Sequence, residues 1–203
     1  MIYNKDKREI ILDRKLSNLD ELVIEFIKIL ERYADYVVIS GYISILLGRT
    51  RITEDIDVYI KEISFERFSK LYRELEERGF WCINAEKPES VYDYLKNSKA
   101  VRFARKNTSI PNFEVGFPKR DIDLETFSDF IIVILNNVKL KISSLERHIA
   151  FKRYYLETDK DIEDALHIEE LFKEKIDYEK INKLKKIIER IKKEEENGER
   201  GRN

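Results

Sequence analysis

Apolar residues recur along this chain with two spacings, and the change from one regime to the other falls near residue 143. Before that point, helical stripes alternate with short strand-like runs. Glu9 to Leu12 reads as a short edge strand. Leu22, Val23, Phe26, Ile27, Ile29 and Leu30 form one helical stripe, with Asn18 and Asp20 as N-cap candidates. Tyr36 to Ser40 reads as a buried strand, Gly41 breaks it, and Tyr42 to Leu47 supplies a turn or two of helix closed by Gly48. Asp55 to Ile60 alternates strictly, with Asp55, Asp57 and Tyr59 set against Ile56, Val58 and Ile60. A period of two places both aspartates on one face of the strand. Phe65 to Arg78 is an amphipathic helix that Gly79 closes. Further strands are expected at Phe80 to Ile83, Ala100 to Arg105, Phe113 to Phe117, Phe130 to Leu135 and Val138 to Ile142, the last two joined by a tight Asn136-Asn137 turn.

From Ser143 onward only helical spacing remains, over Leu145 to Leu156, Lys160 to Phe172 and Tyr178 to Lys193. The expected fold class is therefore α/β (α+β), a mixed sheet with flanking helices followed by a helical C-terminal half. The expected division is an α/β core over residues 1–142, a helical region over 143–193 packed on it, and a charged, frayed tail over 194–203.

Composition narrows the chemistry. Charged residues make up 39% of the 203, yet they cancel to a formal net charge of -1. A globally basic nucleic-acid binder is thereby disfavoured, while a local basic patch is not. One cysteine, Cys82, excludes a disulfide framework, and two histidines poorly supply a His-based metal centre. No segment reaches the run of about 18 apolar residues that a membrane span needs, and Met1 to Asp13 has no signal-peptide core. A soluble, cytoplasmic protein without membrane attachment is expected.

The stretch VISGYISILLGRTRITEDIDVYI concentrates candidate chemistry. A strand ends at Ser40-Gly41 where a helix starts, and a helix start offers free N–H groups that attract phosphate. Gly41 lets a ligand approach the backbone closely. Asp55 and Asp57 then project from one face of the next strand, a spacing that suits hard divalent cations such as Mg²⁺ or Mn²⁺. Two such ions activate an attacking hydroxyl and stabilise departing pyrophosphate.

These residues resemble the nucleotidyltransferase superfamily, whose signature is Gly-Gly or Gly-Ser followed by Asp-x-Asp on the next strand. The similarity is closer to the AbiEii/MenT-like branch, where Arg51, Thr53, Asp55 and Asp57 stand in the places of its Arg-x-Thr-x-Asp-hydrophobic-Asp motif. Tyr42 departs from the usual second Gly or Ser. The resemblance implies a third carboxylate from a later strand, and Glu114 in NFEVGF stands in that register, Glu for Asp. Asp121 and Asp123 in KRDIDLETF are the other candidates. A second signature of the branch is matched by ISSLERHIAFKRYYLETDKDIEDALHIEELF, with Lys152, Asp161 and Asp164 in its places and Thr158 where Arg is usual.

The resemblance implies transfer of a nucleoside monophosphate from an NTP to a hydroxyl with two Mg²⁺. Asp55 and Asp57 would hold metal, with Glu114 as third ligand or base and Lys152 as the fourth catalytic residue, and Gly41, Tyr42, Arg51, Thr53, Lys152, Asp161 and Asp164 would bind or position the nucleotide. Arg51 either contacts triphosphate or buttresses the Asp-x-Asp strand. The branch further implies a tRNA or other RNA end as acceptor and a cognate antitoxin as partner. The alternatives are nucleotidylation of a protein or small molecule, and a non-catalytic nucleotide- or partner-binding protein of the same fold.

Overall fold

The computed structural model describes residues 1–200, with side chains placed through Asn197. Its strands are β1 (Ile2–Asn4), β2 (Glu9–Leu12), β3 (Tyr36–Ile39), β4 (Asp55–Ile60), β5 (Phe80–Cys82), β6 (Val101–Arg105), β7 (Asn112–Gly116), β8 (Phe130–Leu135) and β9 (Val138–Ser143). They form one mixed sheet in the order β1-β2-β8-β9-β3-β4-β7-β6-β5. The helices are α1 (Asn18–Leu30), α2 (Gly41–Leu46), α3 (Phe65–Glu77), α4 (Pro88–Lys96), α5 (Asp121–Leu124), α6 (Leu145–Phe151), α7 (Asp159–Leu171) and α8 (Tyr178–Arg200). A π-helical segment, Lys152–Leu156, continues α6 and ends at Glu157 in the left-handed region.

At the centre of the sheet, β4 runs between β3, antiparallel, and β7, parallel. Ile56, Val58 and Ile60 are sealed into the core from one face of β4. On the same side, α1 lays Phe26 flat on Phe113 of β7, ring centroids 3.8 Å apart, and edge-on to Phe80 at 5.2 Å. That aromatic cluster fixes the register that matters for the opposite face. With Ile56 beside Phe113 and Val58 beside Val115, Asp57 falls beside Glu114.

Several details differ from the sequence expectations. The N-cap of α1 is Ser17, in a capping box with Asp20, rather than Asn18 or Asp20 itself. Asp20 is buried because Arg14 and the Tyr42 hydroxyl also bond to it. β2 is not the edge strand, because β1, too short and polar to register as a strand, pairs outside it. α4 starts at Pro88, a residue that suits the first turn, yet its short apolar stripe of Val91 and Leu95 gave little periodicity. The charged segment from Glu194 continues α8 to Arg200 instead of fraying there, and Glu195 is held by Arg120 and Tyr155. Residues 201–203 of the expected tail lie outside the described residues. The Asn136-Asn137 turn has both φ angles positive, at 48° and 65°, as a tight hairpin requires.

Candidate active site

Strand β4 presents Asp55, Asp57 and Tyr59 on the face opposite the core, and the register adds Glu114 of β7 beside Asp57. Asp57 is partly buried beside two other carboxylates. Burial pushes its carboxyl up to about 6, and the neighbouring Asp55 and Glu114 charges push the same way. The Ser40 hydroxyl and, at longer range, the Lys152 ammonium oppose them without prevailing. A carboxylate held against its own charge among hard oxygen donors suits a divalent cation, which would relieve that repulsion. Glu114, however, is bonded by Arg102 Nε and Nη2, at 2.9 and 2.7 Å. Among the described residues, no three His, Cys, Asp or Glu side chains converge as a ready metal cage.

The turn that leads into α2 has an unusual backbone. Ser40, rather than Gly41, takes the left-handed backbone, with φ 57° and ψ −141°. An L-residue held there costs on the order of 1–3 kcal/mol, a cost typical of site-forming turns. Gly41 gives room to a neighbouring side chain instead. A Cβ on Gly41 would lie 2.8 Å from the Arg51 guanidinium, which packs over its backbone. Tyr42 carries its ring wholly into the core, where the hydroxyl donates to Asp20 at 2.8 Å. Only the Tyr42 backbone N–H is left for a ligand. α2 has six residues, so its dipole is slight and the free N–H groups of its first turn matter individually.

Arg51 buttresses. Its guanidinium, 8% exposed, pairs with Asp164 of α7, as does Arg49. Thr53 donates its hydroxyl to the Asp55 carbonyl at 2.9 Å and lies 3.4 Å from Asp55 Oδ1, so it orients the first aspartate. Lys152, at the start of the π-helical segment, is buried and held by Asp161 at 2.5 Å and Asp164 at 3.1 Å. Asp161 and Asp164 therefore position three cations, Arg49, Arg51 and Lys152, and do not line the open space themselves. Thr158 caps α7 and donates to Asp161 at 2.6 Å.

That open space is a cleft of about 200 Å³ between the ends of β3 and β4 and the α6–π segment. Ser40, Asp57, Lys152, Arg120, Phe151 and Tyr155 line it. Arg120 lies over the Tyr155 ring at 4.7 Å and forks onto Asp123 at 3.0 and 3.1 Å. Asp123 also lines this cleft but is bonded to Arg120 as Glu114 is to Arg102, and of the two Glu114 is the one in register with Asp57. On the other side of Asp57, Glu114, Gly116 and Lys119 line a second hollow of about 150 Å³. Ser40, Arg120, Tyr155 and Lys119 were missed in the sequence. Ser40 directly before Gly41 was the one signal available; the other three reach the site only through tertiary packing.

No protein-family model matches the chain, and no curated protein matches it. Solved structures do resemble it. ANT(2″)-Ia in complex with adenylyl-2″-tobramycin has a TM-score of 0.56 at 15% identity, over 85% of this chain and 98% of that one. The solution structure of the antibiotic-resistance factor ANT(2″)-Ia gives 0.51 at 16% identity, over 90% and 99%. The lincosamide antibiotic adenylyltransferase LnuA, lincomycin-bound, gives 0.51 at 14% identity, over 78% and 99%. The fold is of the nucleotidyltransferase type, a mixed α/β sheet with flanking helices. Among the described residues, no helix is long and apolar enough to cross a membrane.

Proposed function

We propose that this chain transfers a nucleoside monophosphate from an NTP to a hydroxyl acceptor. The observation that carries the reading is the pair Asp55 and Asp57 on one face of β4, beside a cleft that Lys152 and Arg120 line, with Asp57 loaded by burial and by neighbouring negative charge. Asp55 and Asp57 would hold Mg²⁺ or Mn²⁺, with Glu114 as the third oxygen donor. The bound cation would polarise the reacting phosphate and favour ionisation of the attacking hydroxyl.

The remaining work falls to the chain's own groups. The N–H groups of Gly41 and Tyr42 would meet phosphate oxygens at the turn. Lys152 would face the triphosphate as a point charge, held in place by Asp161 and Asp164. Thr53 would hold the Asp55 carboxylate in its orientation, and Arg51 would keep the Gly41 turn against α7. Residues 1–142 would thus carry the metal face and residues 143–193 the phosphate-facing lysine.

For the acceptor, the two ordered signatures shared with the AbiEii/MenT-like branch support an RNA end, tRNA first. A small hydroxyl compound is the second reading, supported by the fold neighbours, two of whose names concern antibiotic adenylylation or resistance. A cognate antitoxin rests on the branch resemblance alone. The test is incubation with each labelled NTP, Mg²⁺, and either bulk tRNA or a panel of hydroxylated small molecules, beside an Asp55→Ala/Asp57→Ala variant. Label on RNA from the wild type alone is expected. Label on a small molecule or on protein would move the acceptor and keep the chemistry, and no transfer in any mixture would overturn the enzymatic reading.

A further inference from the structure

Asp57, Glu114 and Arg102 stand in one row across β4, β7 and β6, because Glu114 is the register partner of both others. The two Arg102 donors converge on a single oxygen, Glu114 Oε2, and leave Oε1 without a hydrogen-bond partner among the described residues. Both side chains reach solvent, Arg102 at 51% and Glu114 at 28% exposure. The Asp55 and Asp57 charges also act on Arg102, so this guanidinium balances the whole carboxylate face and not Glu114 alone.

A cross-strand ion pair of this kind stabilises a sheet weakly. Its position gives it a second consequence. A guanidinium supplies charge and N–H groups, whereas a divalent cation doubles the charge and takes carboxylate oxygens directly. The two compete for the same carboxylate, and an exposed pair is easily exchanged. The pairing also explains why the three carboxylates do not converge on one point.

We propose that Arg102 is the built-in counter-ion of this face, which holds Glu114 aside when no metal is bound and releases it as a third ligand when a divalent cation settles on Asp55 and Asp57. The inference rests on the metal-binding reading given above. Arg102 is on this view a positioning residue that sets metal affinity, and it touches neither nucleotide nor acceptor.

The test is a Mn²⁺ titration of the full chain without nucleotide, following free Mn²⁺ by electron paramagnetic resonance at fixed ionic strength. Arg102→Ala should bind Mn²⁺ roughly two- to fivefold tighter than wild type, the range that an exposed ion pair commands. Glu114→Gln should bind more weakly, and Arg102→Ala should tighten binding clearly less in the Glu114→Gln background than in the wild type, because only its general charge on Asp55 and Asp57 is then removed. Equal tightening by Arg102→Ala in both backgrounds would reduce the effect to general charge removal and overturn the proposal. Unchanged or weakened binding in Arg102→Ala would also overturn it, leaving a plain cross-strand pair. Absence of Mn²⁺ binding in wild type and every variant would defeat the metal-binding reading itself, and the inference with it. Arg102→Gln, which keeps more of the side-chain stem over the sheet, serves as the second variant if Arg102→Ala folds poorly.

Discussion

Asp57 carries opposing demands of stability and chemistry in one side chain. Its carboxyl titrates near 6 in the folded chain against 3.8 for the ordinary group. The fold therefore prefers it protonated. Stability from that preference is complete below about pH 4 and is lost as pH rises through 6. Asp57→Asn removes the conflict, and without divalent metal it should stabilise the chain by about 2 to 3 kcal/mol at pH 8. The gain should vanish near pH 4, which denaturant melts in EDTA at the two pH values would check. His148 has the opposite relation to acid. Burial, with the Lys152 charge, holds its imidazole down at about 3, and Nε2 meets Ser44 at 3.1 Å while Nδ1 has no partner among the described residues. The unfolded chain takes up that proton first, so acidification from about 6.5 towards 3 should cost up to roughly 1.4 kcal/mol per pH unit through this one residue. Urea melts across that range should show a shallower loss for His148→Gln than for wild type.

At the scale of elements, α7 is fastened to the turn after α2 by buried charge. Asp164 is fully buried and answers Arg49, Arg51 and Lys152 together. Removing one member of such a group leaves uncompensated charge, at a cost of about 3 to 5 kcal/mol. Asp164→Asn should lower stability by that order in denaturant unfolding, well beyond the loss from Glu163→Gln on the exposed side of Arg49. Elements with a clean period were legible in advance, as β4 and α3 show, because one face of each is buried and the other is not. β1 and α4 were not, since three and nine residues of mixed polarity give too few repeats of a period. Sequence spacing likewise placed Asp55 and Asp57 together, whereas Lys152, Asp161 and Asp164 were singled out through the second signature of the resemblance. It could not show that Tyr42 turns into the core, or that Ser40 rather than Gly41 bears the positive φ. The first depends on what packs behind the turn, where Asp20 accepts the Tyr42 hydroxyl.

The whole molecule places its chemistry along a seam. The sheet supplies carboxylates from β4 and β7, the α2 turn supplies N–H groups, and the α6–π segment brings Lys152 across the cleft. Opposite charges thus face each other over Asp57, the arrangement that a metal–triphosphate complex would bridge. Net charge near zero conceals this polarity, which is why composition alone pointed to no partner. The most direct measurement is equilibrium binding of an NTP with Mg²⁺ and with EDTA, for wild type and Asp57→Asn. Binding that requires Mg²⁺ and falls at least tenfold in Asp57→Asn is the expected result. Binding of equal strength with EDTA, or in Asp57→Asn, would contradict a metal-dependent nucleotide site on this face of β4.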